Sequence, residues 1–266
     1  MNNNIILEIK DLSISYKNKN VLKEINLKIE KEKVYSIIGP NGCGKTTLMR
    51  TISRGIKPKQ GKVLLYGNNI FNMKNKHVAK KMSILNQAND TISDVNVRKL
   101  VQYGRYAHKD WWKGIDDNDD KIVEWAMEKT GVTSLQNRRI DTLSGGEKQR
   151  AWIAMSIAQK PEILLLDEPT TYLDICHQLE IMELISRLNK EEGITIVMVL
   201  HDINHAARYS DELVVINNKK IHSQGDPWTI LESKVLEEVF KIESEITKDK
   251  DTDKPIFYAK KVVSNS

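Results

Sequence analysis

The sequence predicts an α/β fold built around a mostly parallel sheet with flanking helices, and three observations predict it. Two continuous aliphatic runs of strand length, "EILLLDEP" (162–169) and "ITIVMVLHD" (194–202), read as strands covered by helices on both faces. Between them, "LDICHQLEIMELISRLNKEEG" carries Ile175, Leu179, Met182, Ile185 and Leu188 at helical spacing, with Gly193 beyond its end. Strand, helix and strand in that order make a βαβ unit. The third observation is "IIGPNGCGKTTLMR" (37–50), a bare glycine-rich stretch between the apolar strand "VYSII" and an apolar helix.

The elements around that core follow from periodicity. "ILEIKDLSISY", "INLKIEKEKVYSII" and "KVLLYG" alternate apolar and polar residues, as half-buried strands do. Residues 88–160 are more polar and mostly helical in pattern; "DNDDKIVEWAMEKTG" has acidic and Asn residues at its start and Gly131 at its close. They read as a helical subdomain inserted into the core, which takes residues 1–87 and 161–225. A C-terminal extension, 226–266, is expected to hold two short helices in "DPWTILESKVLEEVFKIE" and an exposed hairpin in "KDKDTDKPIFYAKKVVSNS". The whole, 1–266, reads as one domain.

Composition narrows the function classes only modestly. No stretch of the 266 residues approaches the ~20 apolar residues of a membrane-spanning helix. "MNNNIILEIKDL" lacks a basic region followed by a long apolar run, so no secretory signal is expected. Cys43 and Cys176 offer neither a disulfide framework nor metal-ligand spacing, and a reducing cytoplasm is the simplest reading. The net charge of +5 is spread along the chain, which suits an anionic membrane leaflet as well as it suits nucleic acid.

The glycine-rich stretch carries the chemistry. Gly39, Gly44, Lys45 and Thr46 fit G-x-x-x-x-G-K-[ST] in the strand-before, helix-after setting that a polyphosphate site needs. Gly39, Gly42 and Gly44, with Pro40, Asn41 and Cys43 between them, let backbone N–H groups turn inward around phosphate oxygens, and the helix start adds its unpaired donors. Lys45 can reach the β- and γ-phosphates, Thr46 can ligate Mg²⁺, and Thr47 is expected to touch the α-phosphate. Leu48 and Ile52 should anchor the helix in the core. The place of Cys43 inside the loop suggests that bulky modification of its thiol would block phosphate binding; the favoured reading is an inert small residue.

Four aliphatic residues run from Ile163 to Leu166 into Asp167 and Glu168, at the sheet edge where α/β folds bind ligands. Asp167 would hold Mg²⁺ through water, and Glu168 would orient and deprotonate the attacking water. His201 follows the strand "TIVMVL" and is expected at the same edge, against the γ-phosphate, keeping Glu168 and the water in register. His201 and His205 are spaced for zinc, yet no Glu follows His201 and no third ligand is evident, so a metal site there is rejected.

"LSGGEKQRAWIAMSIAQ" (143–159) resembles the signature motif of ATP-binding cassette proteins, through Leu143, Ser144, Gly145, Gly146 and Glu147. Alone, Ser144 would read as a helix N-cap. The resemblance covers nearly the whole chain and implies a P-loop NTPase core with an antiparallel β subdomain and the helical subdomain described above. It implies a head-to-tail homodimer in which this helix start meets the γ-phosphate of ATP held by the other subunit. It also implies that Tyr16 stacks on adenine, although Tyr16 alone would read as a surface strand residue. Gln87, ending "MSILNQ", is implied to sense Mg²⁺ and water, and "TYLD" (171–174) to form the interface loop ending at Asp174. No catalytic position departs from the family, so an active ATPase is expected.

Finer similarity, in "GPNGCGKTTL", "LVQYGRY", "QRAWIAMSIAQ", "TTYLDICHQLEIMELI" and "HDINHAARYSD", is to the ATPases of bacterial iron–siderophore importers; those of cobalamin and haem importers are near alternatives. The resemblance implies a peripheral protein on the cytoplasmic face of the cell membrane, working with two permease subunits and, indirectly, a substrate-binding lipoprotein or periplasmic protein. Permease docking is expected near Gln87 and on the aromatic, basic "VRKLVQYGRYAHKDWWKG" (97–114), with Arg98 and Arg105 as contacts, unless that segment covers the subdomain's own core. A soluble cassette ATPase acting on nucleic acid is disfavoured, because the chain shows neither two cassettes nor a long heptad run. A non-hydrolysing regulator conflicts with Glu168 and His201.

Overall fold

The computed structural model describes residues 4–16, 19–86, 94–109 and 115–263. The chain forms two compact units, one of Met1–Asn72 with Val197–Ser266 and one of Met73–Ile196. The first opens with β1 (Ile5–Tyr16) and β2 (Lys19–Glu30), an antiparallel pair that sets Ile9 opposite Leu27 and Leu12 opposite Ile25. Alternation does the sorting: Leu22, Ile25, Leu27 and Ile29 are buried, and the Lys and Glu residues between them are exposed. Next come β3 (Val34–Ile38), α1 (Lys45–Ile52), β4 (Gln60–Leu65) and β5 (Asn68–Asn69). β4 pairs antiparallel with β1, giving the sheet order β2-β1-β4-β5.

The second unit runs through α2 (Asn75–Ala79), β6 (Met82–Leu85), α3 (Val97–Tyr103), α4 (Asp117–Lys129), α5 (Gly145–Ala158), β7 (Ile163–Asp167) and α6 (Ile175–Glu192). β6 and β7 are parallel, with Met82 opposite Ile163, and every residue of β7 is buried. The boundary between units falls inside β8 (Thr195–Val199), whose Thr195 N–H donates to the Glu162 carbonyl at 3.0 Å. The first unit then resumes with α7 (Ile203–Tyr209), β9 (Glu212–Asn217), β10 (Lys220–Gly225), α8 (Pro227–Ile230), β11 (Ile242–Lys248) and β12 (Pro255–Val262). There β9 lies parallel to β3, with Val214 opposite Ile37; β11 and β12 form an antiparallel hairpin near the C-terminal end, but its first strand precedes the 248–266 stretch in which the hairpin was expected, because Ile242 and Ile246 already alternate as a strand. Asn204 of α7 holds that hairpin, accepting from the Phe257 N–H at 3.0 Å and donating to its carbonyl at 3.2 Å.

The α/β architecture agrees with the sequence, and two further local expectations are corrected. On α6, Met182, Ile185 and Leu188 are buried as their spacing predicts, but Ile175 is 76% exposed and Leu179 lies at the surface. The apolar stripe outlasts the packing at the N-terminal end of the helix, where Ile181 and Leu184 join the core face further along.

The second correction concerns Arg105. It is buried, with Nε donating to Asp119 Oδ1 at 2.9 Å and Nη1 donating to the Ala158 carbonyl at 2.6 Å. Lys109 also pairs with Asp119, and with Asp116 at 2.9 Å. Burial alone would push the Asp119 carboxyl up; the bonds from Lys109 and Arg105 outweigh it and hold the group below the usual carboxylate range. Removing one partner of such a buried pair costs about 3–5 kcal/mol. Arg105 therefore ties the turn after α3 to α4 and α5 and is no docking contact. Arg98 is engaged too, with Gln136 at 3.1 Å, Asp120 at 3.2 Å and Glu124 at 3.3 Å. Residues 110–114 of the expected docking segment lie outside the described residues.

Candidate functional site

The glycine loop sits in the first unit, between the wholly buried β3 and α1. Gly39 has φ of 151°, and a Cβ there would stand 2.2 Å from the Ile216 carbonyl oxygen. Gly44 has φ of 111° and a Cβ would stand 2.7 Å from Leu22 Cδ2. At Gly39 the backbone carbonyl excludes a side chain outright, whereas at Gly44 the leucine methyl can move and the positive φ is what requires glycine. Gly42, with φ of 75°, has nothing within 4 Å of a built Cβ and needs glycine for torsion alone.

Leu48 and Ile52 are fully buried and fasten α1 to the core, as expected. Lys45 is 5% exposed and its Nζ donates to the carbonyls of Gly39 at 2.8 Å and Pro40 at 3.1 Å. The ammonium is thus folded over the backbone of its own loop. Among the described residues no side chain caps α1, and helix geometry leaves its first-turn amides without intrahelical acceptors. Cys43 donates its N–H to the Pro40 carbonyl at 3.3 Å, and burial pushes its thiol up, which keeps it protonated and slow as a nucleophile. In the same unit His201 follows β8, exposed, and Asp202 caps α7 by accepting the His205 N–H at 2.9 Å.

The second unit carries the carboxylates and the serine–glycine turn. Asp167 ends β7 and is 3% exposed. Glu168 has φ of 55°, a left-handed backbone rare for a non-glycine residue, and its Oε2 accepts from Thr171 Oγ1 at 3.0 Å. That torsion turns the chain sharply at the strand end and sets the direction of the carboxylate. The hydroxyl of Thr46 in the first unit and the carboxylate of Asp167 in the second are each a hard oxygen donor of the kind Mg²⁺ prefers, so each side chain by itself suits that ion. Ser144 caps α5 in a reciprocal box: its Oγ accepts the Glu147 N–H at 3.3 Å, and Glu147 Oε2 accepts the Ser144 N–H at 2.8 Å. The bond from the Ser144 amide, with lesser help from Arg138 and Arg150, holds the Glu147 carboxyl below its ordinary range. Asp174 caps α6 through the His177 N–H at 2.9 Å.

Residues 22–171, more than half the chain, match the family model described as ABC transporter. The chain belongs to the ABC transporter family. It is similar to the iron(3+)-hydroxamate import ATP-binding protein FhuC of Bacillus subtilis (strain 168), 43% identical over 259 residues that cover 97% of this chain and 96% of that protein. It is similar also to the petrobactin import ATP-binding protein FpuC of Bacillus anthracis, 45% identical over 241 residues, 91% of this chain and 88% of that one. Among solved structures, the ATP-binding cassette MJ0796, in a dimeric post-hydrolysis state with ADP and Pi, matches with a TM-score of 0.72 at 26% identity over 83% of this chain and 98% of that chain. This ABC transporter chain is thus an ATPase cassette, and no helix among its described residues is long and apolar enough to cross a membrane.

Within this cassette the structure gathers Gly39 to Thr47 into one loop and helix start, and Ser144 to Glu147 into another, each inside its own unit. Gln87 and the side chain of Tyr16 lie outside the described residues. Thr171 enters the sequence reading only as the first residue of the expected interface loop; its bond to Glu168 is new. His177 was announced by nothing local, because what matters is the residue its ring touches.

Proposed function

We propose that this chain hydrolyses ATP with Mg²⁺ to power uptake of iron–siderophore complexes through a separate membrane permease, as a homodimer on the cytoplasmic face of the cell membrane. The observation that carries the cargo class is the similarity, over nearly the full length of both chains, to an ATP-binding protein named for iron(3+)-hydroxamate import. In this reading Gly39, Pro40, Asn41, Gly42, Cys43, Gly44 and Thr47 wrap the phosphates with backbone and hydroxyl donors, Lys45 neutralises the β- and γ-phosphates, and Tyr16 stacks on adenine. Thr46, Gln87 and Asp167 would hold Mg²⁺, which when bound offsets charge on the phosphate oxygens. Glu168 accepts a proton from the attacking water, and His201 and Gln87 keep that water in line. The turn Ser144–Glu147 and Asp174 complete the ATP site of the second subunit.

The test is cellular uptake of labelled iron–siderophores, cobalamin and haem, comparing wild type with Glu168→Gln. Loss of siderophore iron uptake alone supports the proposal. Loss of cobalamin or haem uptake instead reassigns the cargo. Unchanged uptake of all three, with ATPase activity abolished, rejects the importer assignment.

A further inference from the structure

The turn that opens α5 and the loop that ends at Asp174 are joined by one imidazole. A Cβ added to Gly146 would stand 2.0 Å from His177 Cδ2, 2.8 Å from Cγ and 3.0 Å from Nε2, so the His177 ring lies directly against this glycine. The same ring reaches Asp174: Nδ1 is 2.7 Å from Asp174 Oδ1, the oxygen that also accepts the His177 N–H at 2.9 Å. A carboxylate only accepts, so Nδ1 carries the proton in this contact. Capping α6 requires the backbone N–H alone, which any residue other than proline supplies. The ring contributes something capping does not need, a second bond to the cap and a packed face on Gly146.

Neighbouring contacts run in the same direction. A Cβ on Gly145 would meet Leu173 Cδ2 at 3.2 Å. Gln149 Nε2 donates to the Pro169 carbonyl at 2.8 Å, and Arg150 pairs with Glu180 at 2.6 Å. All of these residues belong to the second unit. We propose that His177 is a positioning residue that holds the Gly145–Gly146 amides and the Asp174 carboxylate in fixed register, so that both reach the partner subunit's ATP as one piece. This rests on the ATPase reading above, since Ser144–Glu147 and Asp174 act there on bound nucleotide.

Steady-state ATP turnover of the full chain tests it. His177→Ala should lower kcat by about 10- to 100-fold, the scale of a misplaced group away from the reacting atoms, with KM for ATP within about twofold. His177→Asn, whose amide donates from near the Nδ1 position, should recover most of the loss. Gly146→Ala should be slow because its methyl strikes the ring, and Gly146→Ala with His177→Ala should be no slower than His177→Ala alone. Wild-type kcat in His177→Ala, a KM that rises in step with the fall in kcat, an Asn variant as slow as Ala, or multiplying losses in the double variant would each overturn the proposal. If the wild type turns over no ATP, the ATPase reading itself fails. Amide exchange then decides: selective acceleration of the first turns of α5 and α6 in His177→Asn relative to wild type overturns the claim that Asn retains the tie, whereas unchanged protection there with acceleration in His177→Ala supports it.

Discussion

The chain contains two glycine-rich helix starts, and they are built on opposite plans. α1 begins on Gly44 with no side-chain cap among the described residues, while Ser144 and Glu147 close a reciprocal box over α5. No side chain occupies the first turn of α1 as a cap, whereas in α5 the Glu147 amide is taken by Ser144 and the Ser144 amide by Glu147. The glycines differ in the same way. Gly39 is forced by torsion and by close backbone approach and Gly44 by torsion, whereas Gly146 is forced by a histidine ring. Under the proposed function, the uncapped start would wrap several phosphate groups and the clamped one would touch a single group.

Substitutions can break this contrast. The largest effect is expected for Gly39→Ala, on the order of 3 kcal/mol from left-handed torsion plus the clash with the Ile216 carbonyl, read as loss of nucleotide binding by fluorescence titration. Gly42→Ala meets open space and should cost only the torsion, about 1–2 kcal/mol; equal losses at both positions would mean that space plays no part. Lys45→Ala should weaken ATP binding by about 10- to 100-fold, as loss of a charged hydrogen bond worth ~1.5–3 kcal/mol does. Normal affinity in that variant would remove Lys45 from the phosphate contacts. Ser144→Ala should destabilise α5 by about 1 kcal/mol in urea unfolding and slow turnover while leaving nucleotide affinity intact.

The smallest effect is one of pH. The Glu147 carboxyl is held below its ordinary range, so its contribution is complete above its unfolded value near ~4.3 and is lost as pH falls through the lower folded value. Acid should therefore loosen the first turn of α5 selectively, while α1, with no carboxylate in its first turn, is spared. Amide exchange measured from neutral pH to below about 4 checks this, and parallel loss of protection in both turns would remove the distinction.

Much of this was readable along the chain. The loop 39–47, the aliphatic run into Asp167 and Glu168, and the serine-led turn at 144–147 are contiguous, and their chemistry depends on neighbours one to four residues away. Caps and torsional glycines are of that kind as well. Other features were not readable. Arg105 looked like a surface cation in a basic segment; its burial depends on Asp119 and the Ala158 carbonyl arriving from α4 and α5. Ile175 looked like core because periodicity reports a face and not whether anything packs on it. The left-handed backbone of Glu168 has no signature in composition.

By itself, the sequence determined the α/β class, the phosphate-binding loop, the carboxylate pair and the capped turn, because backbone torsion, helix capping and alternation are local and act within a few residues. Only the tertiary structure decided that Gly146 must be glycine for the sake of His177, that Asp174 and the α5 turn are tied together, and that Arg105 is an internal strut. Those outcomes depend on which faces meet when distant segments pack, and close packing settles them atom against atom in a way that no local pattern records.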